Sequence, residues 1–295
     1  MREFAIITDS CCDLPIDLAN RLGIIDVPMG ISIDNKLYKD WLDRREISPK
    51  EYYEMIRDGV VGTTSAANIV DVMNAMKKEI ESGKDVLYIS FSSEMSCSYQ
   101  SANVAKRSLL EDFPDARIEI IDSKSASIGQ ACLLYFAAWK RYEGKSLDEV
   151  VIWLKNNCTK VRHYFVVEDL EHLRRTGRIS ALSGVVGGVL GIRPLLGVNN
   201  EGKLLSIGKL RGRKHAIRAL AEKTVQNCYN NMAIFIVHVD CYNDAVELKR
   251  MISEKIKDAN IFICDSGFVI GNNVGPETLA VGFLSDGREE IQKSE

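Results

Sequence analysis

Between Val86 and Leu109 the chain makes the transition that most limits its fold. Val86-Leu87-Tyr88-Ile89 is apolar without polar alternation, the mark of a strand covered on both faces. Ser92-Ser93-Glu94-Met95-Ser96-Cys97-Ser98 then turns the chain, and Tyr99, Ala102, Ala105 and Leu109 fall on one side of a helix. A buried strand feeding a helix through a hydroxyl-rich turn is the building unit of a parallel sheet. The unpaired N–H groups and positive dipole end at such a helix start can hold a small anion. Alternatively, Ser96 or Ser98 simply caps the helix.

The same unit recurs along the first half. Phe4 to Thr8 reads as a strand, Asp9-Ser10 as its turn, and Pro15 opens a helix that Gly23 closes. Ile24 to Trp41 suits strands and a hairpin around Asp34-Asn35. Ser48-Pro49-Lys50-Glu51 and Ser146-Leu147-Asp148-Glu149 have capping-box spacing. Ile69, Val72, Met73, Met76 and Ile80 mark a helix face, and Arg117 to Ile121 a strand followed by Asp122-Ser123-Lys124-Ser125 and a helix through Tyr142. Alternating strands and helices predict a parallel sheet with helices on both faces and the strand-end turns gathered along one ligand-binding edge. Those turns contain neither G-x-G-x-x-G nor G-x-x-x-x-G-K, which argues against a dinucleotide or nucleoside triphosphate. Hydroxyls and helix ends without a lysine cradle suit one modest anion such as a carboxylate.

The second half reads differently. Val161 to Val167 is a strand, and the stretch to Arg178 a short helix broken at Gly177. Gly202-Lys203 reads as a tight turn between antiparallel strands Arg193 to Val198 and Leu204 to Lys209. A helix from Lys214 to Gln226, strand Met232 to Val239, helix Asn243 to Lys257, strand Asn260 to Cys264 and strand Leu279 to Phe283 complete a mixed sheet. The expected organisation is α/β in two domains: 1–160 with a parallel sheet (α/β/α) and 161–295 with a mixed or antiparallel sheet (α+β). Glycines at 184, 187, 188 and 191 interrupt an apolar stretch that either lines an elongated greasy cavity or packs closely at a domain interface.

Formal charge is -3, and no aromatic platform is interleaved with the basic residues, so nucleic acid is not an expected partner. The most apolar segment, Gly184 to Ile192, is too short for a bilayer span, and no signal peptide is recognisable. At most a transient membrane contact is expected. Eight cysteines without C-x-x-C point to neither a zinc site nor a disulfide framework, and the cytoplasm is the default compartment.

No catalytic constellation stands out. His163, His172, His215 and His238 lack H-E-x-x-H spacing, and no serine sits in G-x-S-x-G. No metal site is expected. His238, in an apolar strand, reads as a core residue. Asp9 and Asp13 flank Cys11-Cys12, and a turn aspartate capping the Pro15 helix explains them. Arg174, Arg175 and Arg178, and Lys209, Arg211, Arg213 and Lys214, form basic clusters that by themselves read as solvated faces.

Thr8-Asp9-Ser10, Asp13-Leu14-Pro15, Thr64-Ser65, Ser92-Ser93 with Ser96, Tyr99-Gln100-Ser101-Ala102, Asp122-Ser123, Asp169-Leu170 with Leu173, Gly177-Arg178-Ile179, Lys209 with Arg211, and Gly275-Pro276 together resemble the DegV family. The resemblance implies two α/β domains with a long-chain fatty acid buried between them, and a ligand-binding rather than catalytic role. It further implies presentation of the bound carboxylate to a separate fatty acid kinase subunit, which makes an acyl phosphate for phospholipid synthesis. The ATP site would belong to that partner, and no cofactor is implied. Carboxylate contacts carry over to Thr64, Ser65 and Ser96, and the family's late histidine falls at Asn273. Arg178 and Arg211 become candidate docking contacts for the kinase subunit. Asparagine can donate through its amide but cannot carry a positive charge. The alternatives are a carrier of a different apolar acid or lipid, or a stand-alone acyl hydrolase using Ser96, for which no base stands at a recognisable spacing.

Overall fold

The computed structural model describes residues 2–168, 170–178, 191–229 and 233–288. Asp169, Ile179 and the glycines at 184, 187 and 188 lie outside them. The first half runs β1 (Phe4–Asp9), α1 (Ile16–Arg21), β2 (Ile24–Val27), β3 (Met29–Ile33), β4 (Lys36–Asp40), α2 (Pro49–Arg57), β5 (Thr63–Ser65), α3 (Ile69–Glu81), β6 (Asp85–Ser90), α4 (Ser98–Asp112), β7 (Ile118–Asp122), α5 (Ile128–Tyr142) and α6 (Leu147–Asn157). The second runs β8 (Val161–Val166), α7 (Glu171–Arg175), β9 (Ile192–Val198), β10 (Leu204–Arg211), α8 (Arg213–Asn227), β11 (Ile234–His238), α9 (Tyr242–Lys255), β12 (Ile261–Asp265), α10 (Phe268–Val274) and β13 (Leu279–Leu284).

Strands β2-β1-β6-β7 form the expected parallel sheet. Side chains alternate across it: Ile6, Leu87 and Ile89 join one core, Ile7, Val86 and Tyr88 the other. The second sheet is mixed, in the order β10-β9-β8-β13-β11-β12. Between them, α5 is buried at every position from Ile128 to Ala138 and packs against β8, β11 and β13 as well as β6. A helix apolar all round needs neighbours all round, and two sheets supply them.

Both capping boxes are present, at Ser48 with Glu51 and at Ser146 with Glu149. Two local expectations are corrected. Asp13 does not cap α1, whose N-terminus has no side-chain cap. Its carboxylate accepts instead from the Gly267 N–H at 2.7 Å and from the Ser127 hydroxyl, with the Arg44 guanidinium 3.6 Å away. Gly202-Lys203 is not a two-residue turn but the end of the loop Asn199 to Lys203, where Asn199 Oδ1 accepts from the N–H groups of Glu201, Gly202 and Lys203. The N-cap position of α4 is Cys97, which makes no side-chain cap, while the Ser96 hydroxyl one residue earlier accepts from the Ser98 N–H at the helix start.

Helix α10 is an addition to the expected elements. Its first N–H groups are satisfied from far away: Gly267 by Asp13, and Val269 by Asp40 at 3.0 Å. Arg44 closes this clamp by donating to Asp40 at 2.8 Å. Near the C-terminus, Arg288 is buried and donates to the carbonyls of Val161, Lys124, Asn199 and Cys158 and to the Ser125 hydroxyl, fastening the strand-end turns of one half to the other.

Candidate ligand-binding site

Register on the second sheet creates a single apolar face. Val237 lies opposite Ala280, and Ala280 opposite Phe165. Residues two apart share a face, so His163, Val239 and Thr278 join them. These six side chains form the floor of a cavity of about 310 Å³. Its walls come from α10 (Val269, Ile270, Asn273, Val274), from Ile128 at the start of α5, and from Met29, Phe91 and Met95 of the first half.

Thr64, Ser65, Ser96, Asn273 and Arg178 all line this cavity. Strand β5 reaches it by pairing antiparallel with β3, where Thr64 lies opposite Ile31 and Ser65 opposite Gly30. A Cβ at Gly30 would stand 2.3 Å from the Ser65 hydroxyl, so the glycine makes room for that side chain. Upstream, Asn272 holds Gly62 by both amide atoms, at 3.0 Å to its N–H and 2.9 Å to its carbonyl. Downstream, the Ser98 hydroxyl accepts from the Ala67 N–H at 3.2 Å. The segment carrying Thr64 and Ser65 is thus pinned at both ends.

Ser98 also stands 3.0 Å from the Ser96 hydroxyl, which accepts from the Ser98 N–H at 3.2 Å. When Ser98 gives its one proton to Ser96 rather than to Met29 Sδ, 3.7 Å away, the Ser96 proton is left for an oxygen in the cavity. Neither supporting residue, Ser98 nor Asn272, was singled out as a site residue from the sequence. The capping-like position of Ser98 was the one signal available.

Other strand-end hydroxyls serve the scaffold. Ser92 donates to the Gly202 carbonyl at 2.9 Å, Ser93 to Asp122 at 2.6 Å, and Ser10 accepts from the Met29 N–H at 3.0 Å. Asp9 accepts from the Phe91 N–H at 2.8 Å, and burial pushes its carboxyl up to about 6 despite that bond.

Asn273 offers the cavity something other than expected. Its Nδ2 donates to the Val269 carbonyl of its own helix at 2.6 Å, and Oδ1 is buried without a partner. Arg178 is the one cation among the described lining residues apart from the imidazole of His163, whose burial holds its pKa well below the ordinary histidine value. Arg211 lies elsewhere, in a basic hollow with Arg213, Lys214, His215 and Arg218 at the junction of β10 and α8. His238 is buried in β11 with Nε2 3.2 Å from the Asp265 carboxylate. Cys241, Asp244 and Glu277 come within 4.8 Å of one another, but Arg213 and Arg57 already pair with the two carboxylates. Among the described residues no helix is long and apolar enough to cross a membrane.

Fold and site together define a protein of two α/β lobes built around an apolar cavity that, among the described residues, carries hydroxyls and one guanidinium. A family model described as "Uncharacterised protein, DegV family" matches residues 3–286, and the chain belongs to that family. A DegV domain-containing protein of Clostridium perfringens is 41% identical over 292 residues, 98% of this chain and 100% of its own length. A solved DegV family protein from Thermus thermophilus, described by its fatty acid binding, is 27% identical with a TM-score of 0.85, covering 97% of this chain and 100% of that one. A stearic acid-binding protein from Eubacterium ventriosum is 25% identical with a TM-score of 0.83, covering 96% and 98%.

Proposed function

We propose that this chain binds a long-chain fatty acid in the cavity between lobes 1–160 and 161–295 and presents its carboxylate to a separate kinase subunit for conversion to an acyl phosphate. The observation that carries this reading is the composition of the cavity wall: an apolar floor from one sheet, with Thr64, Ser65, Ser96 and Arg178 at the same space. Relatives described as fatty acid binders share the fold. Each methylene removed from water contributes about 0.8 kcal/mol, so roughly fourteen of them offer on the order of 11 kcal/mol before ordering costs. Hydrogen bonds to a carboxylate add roughly 1.5 to 3 kcal/mol each, less its desolvation. The tail sets affinity and the head groups set orientation.

Arg178 supplies the positive charge that Asn273 cannot, by standing at the cavity wall. Arg211 and its basic neighbours then form the surface for an acidic partner. A stand-alone hydrolase gains no support from the surroundings of Ser96, whose hydrogen-bond partners among the described residues are atoms of Ser98. The unpartnered acceptor of Asn273 favours one second reading, a lipid whose head carries a donor such as an alcohol or amide.

Ser96→Ala tests the division of labour. Fatty acid loading, read by mass spectrometry, is expected to stay within about twofold, while turnover coupled to a fatty acid kinase subunit falls at least tenfold, the lower end of what a charged hydrogen bond contributes. Equal losses in loading and turnover contradict it.

A further inference from the structure

His163 is an imidazole in the wrong surroundings for an inert tail pocket. It is 6% exposed, it lines the cavity floor, and neither Nδ1 nor Nε2 has a hydrogen-bond partner. Among the described residues, buried unpartnered polar atoms on cavity-lining side chains belong to His163 and Asn273 alone. The elements packed closest to the ring offer glycines rather than partners. Gly282 lies opposite it on β13, and a Cβ at Gly129 in the first turn of α5 would come within 2.3 Å of Nδ1. The nearby Arg288 has given its guanidinium to five other acceptors. A neutral imidazole always carries one donor and one acceptor, and burying either without a partner is unfavourable. An aliphatic side chain at position 163 would serve a plain hydrocarbon tail better.

We propose that His163 is a subsite for a hydroxyl carried on the ligand's chain, so that the favoured ligand is a hydroxylated long-chain fatty acid. A hydroxyl both donates and accepts, and so satisfies the ring nitrogen it meets in either tautomer. Immediately before β13, Thr278 donates to the Val274 carbonyl beside Asn273, and Gly282 on the strand faces His163 four residues further on. At a strand rise near 3.4 Å per residue that separation is roughly 14 Å. An extended chain advances about 1.3 Å per carbon, given carbon–carbon bonds of about 1.5 Å, so a head at the Asn273 end places His163 roughly ten carbons along.

This inference rests on the fatty-acid reading above, and the experiment separates the two. Affinities of stearic, 10-hydroxystearic and 12-hydroxystearic acids are measured for the wild type and for His163→Leu. The wild type is expected to prefer one of the hydroxy acids at least tenfold over stearic acid. His163→Leu is expected to lose that preference, its ratio of hydroxy-acid to stearic acid affinity falling at least tenfold. Equal affinities in the wild type, or a preference that survives in His163→Leu, overturn the subsite. Binding of none of the three acids overturns the fatty-acid reading itself. Should His163→Leu not fold, side-chain nitrogen shifts of the four histidines in the wild type answer the same question. One ring must respond to the hydroxy acid and not to stearic acid; four rings that behave alike with both overturn the proposal.

Discussion

Ala280→Phe is expected to empty the protein of lipid, lowering bound fatty acid at least tenfold without unfolding the chain. Ala280 sits at the centre of the cavity floor, flanked by Val237 on β11 and Phe165 on β8. A benzyl group there would stand in the 310 Å³ that the tail needs, and each methylene displaced forfeits about 0.8 kcal/mol. Because the new ring fills existing space rather than invading a packed core, the expected stability change is small, within about 1.5 kcal/mol in either direction. Lipid extracted from equal amounts of the two proteins reads the loading, and a denaturation midpoint reads the fold. A phenylalanine variant that loads normally would show that the lipid lies elsewhere.

Asp13→Ala has the second large effect, this time on stability. The wild-type carboxylate, fully buried, accepts from Gly267 at the start of α10 and from Ser127 at the start of α5, beside Arg44. Removing it strands an N–H and a hydroxyl and leaves Arg44 with Asp40 as its carboxylate. A buried donor left without its partner costs about 1 to 3 kcal/mol, and two are stranded here. Since α10 carries four cavity-lining residues, lipid loading should fall with stability. Urea midpoints measure the first loss; a cost under 1 kcal/mol contradicts the clamp.

The same residue gives stability a pH dependence. Burial, outweighing Arg44 and the Ser127 and Gly267 hydrogen bonds, pushes the Asp13 carboxyl up to about 7. With its folded pKa above the unfolded value near 3.9, its contribution is fully present at lower pH and lost as pH rises towards and through 7. His163, whose folded pKa is depressed, acts in the opposite sense, since protonation below the unfolded value near 6.5 favours the unfolded chain. Comparing the wild type with Asp13→Asn across pH 4 to 8 isolates the aspartate, and the variant should lack its share of the decline.

What the sequence revealed divides along local and distant causes. The capping boxes at Ser48 and Ser146, the strand at Val86 and the Asp34-Asn35 hairpin were legible because their determinants lie within a few residues. Helix α10 was not, because Phe268–Val274 is short, contains Gly271, and has its first N–H groups satisfied by carboxylates 254 and 229 residues away. A helix through Tyr142 was visible, but its burial on every side between two sheets depends on contacts with β11 and β13, far along the chain. Thr64, Ser65, Ser96 and Asn273 were named through the resemblance, and one cavity brings them together. The direction of the Asn273 amide and the isolation of the His163 ring follow from packing, which no spacing rule encodes.

Native mass spectrometry of the full chain, purified without added lipid, tests the central claim most directly. The account predicts a second species heavier by the mass of one long-chain fatty acid, released as a free acid on denaturation. A chain that carries nothing, and still takes up no fatty acid when one is supplied in excess, would contradict it.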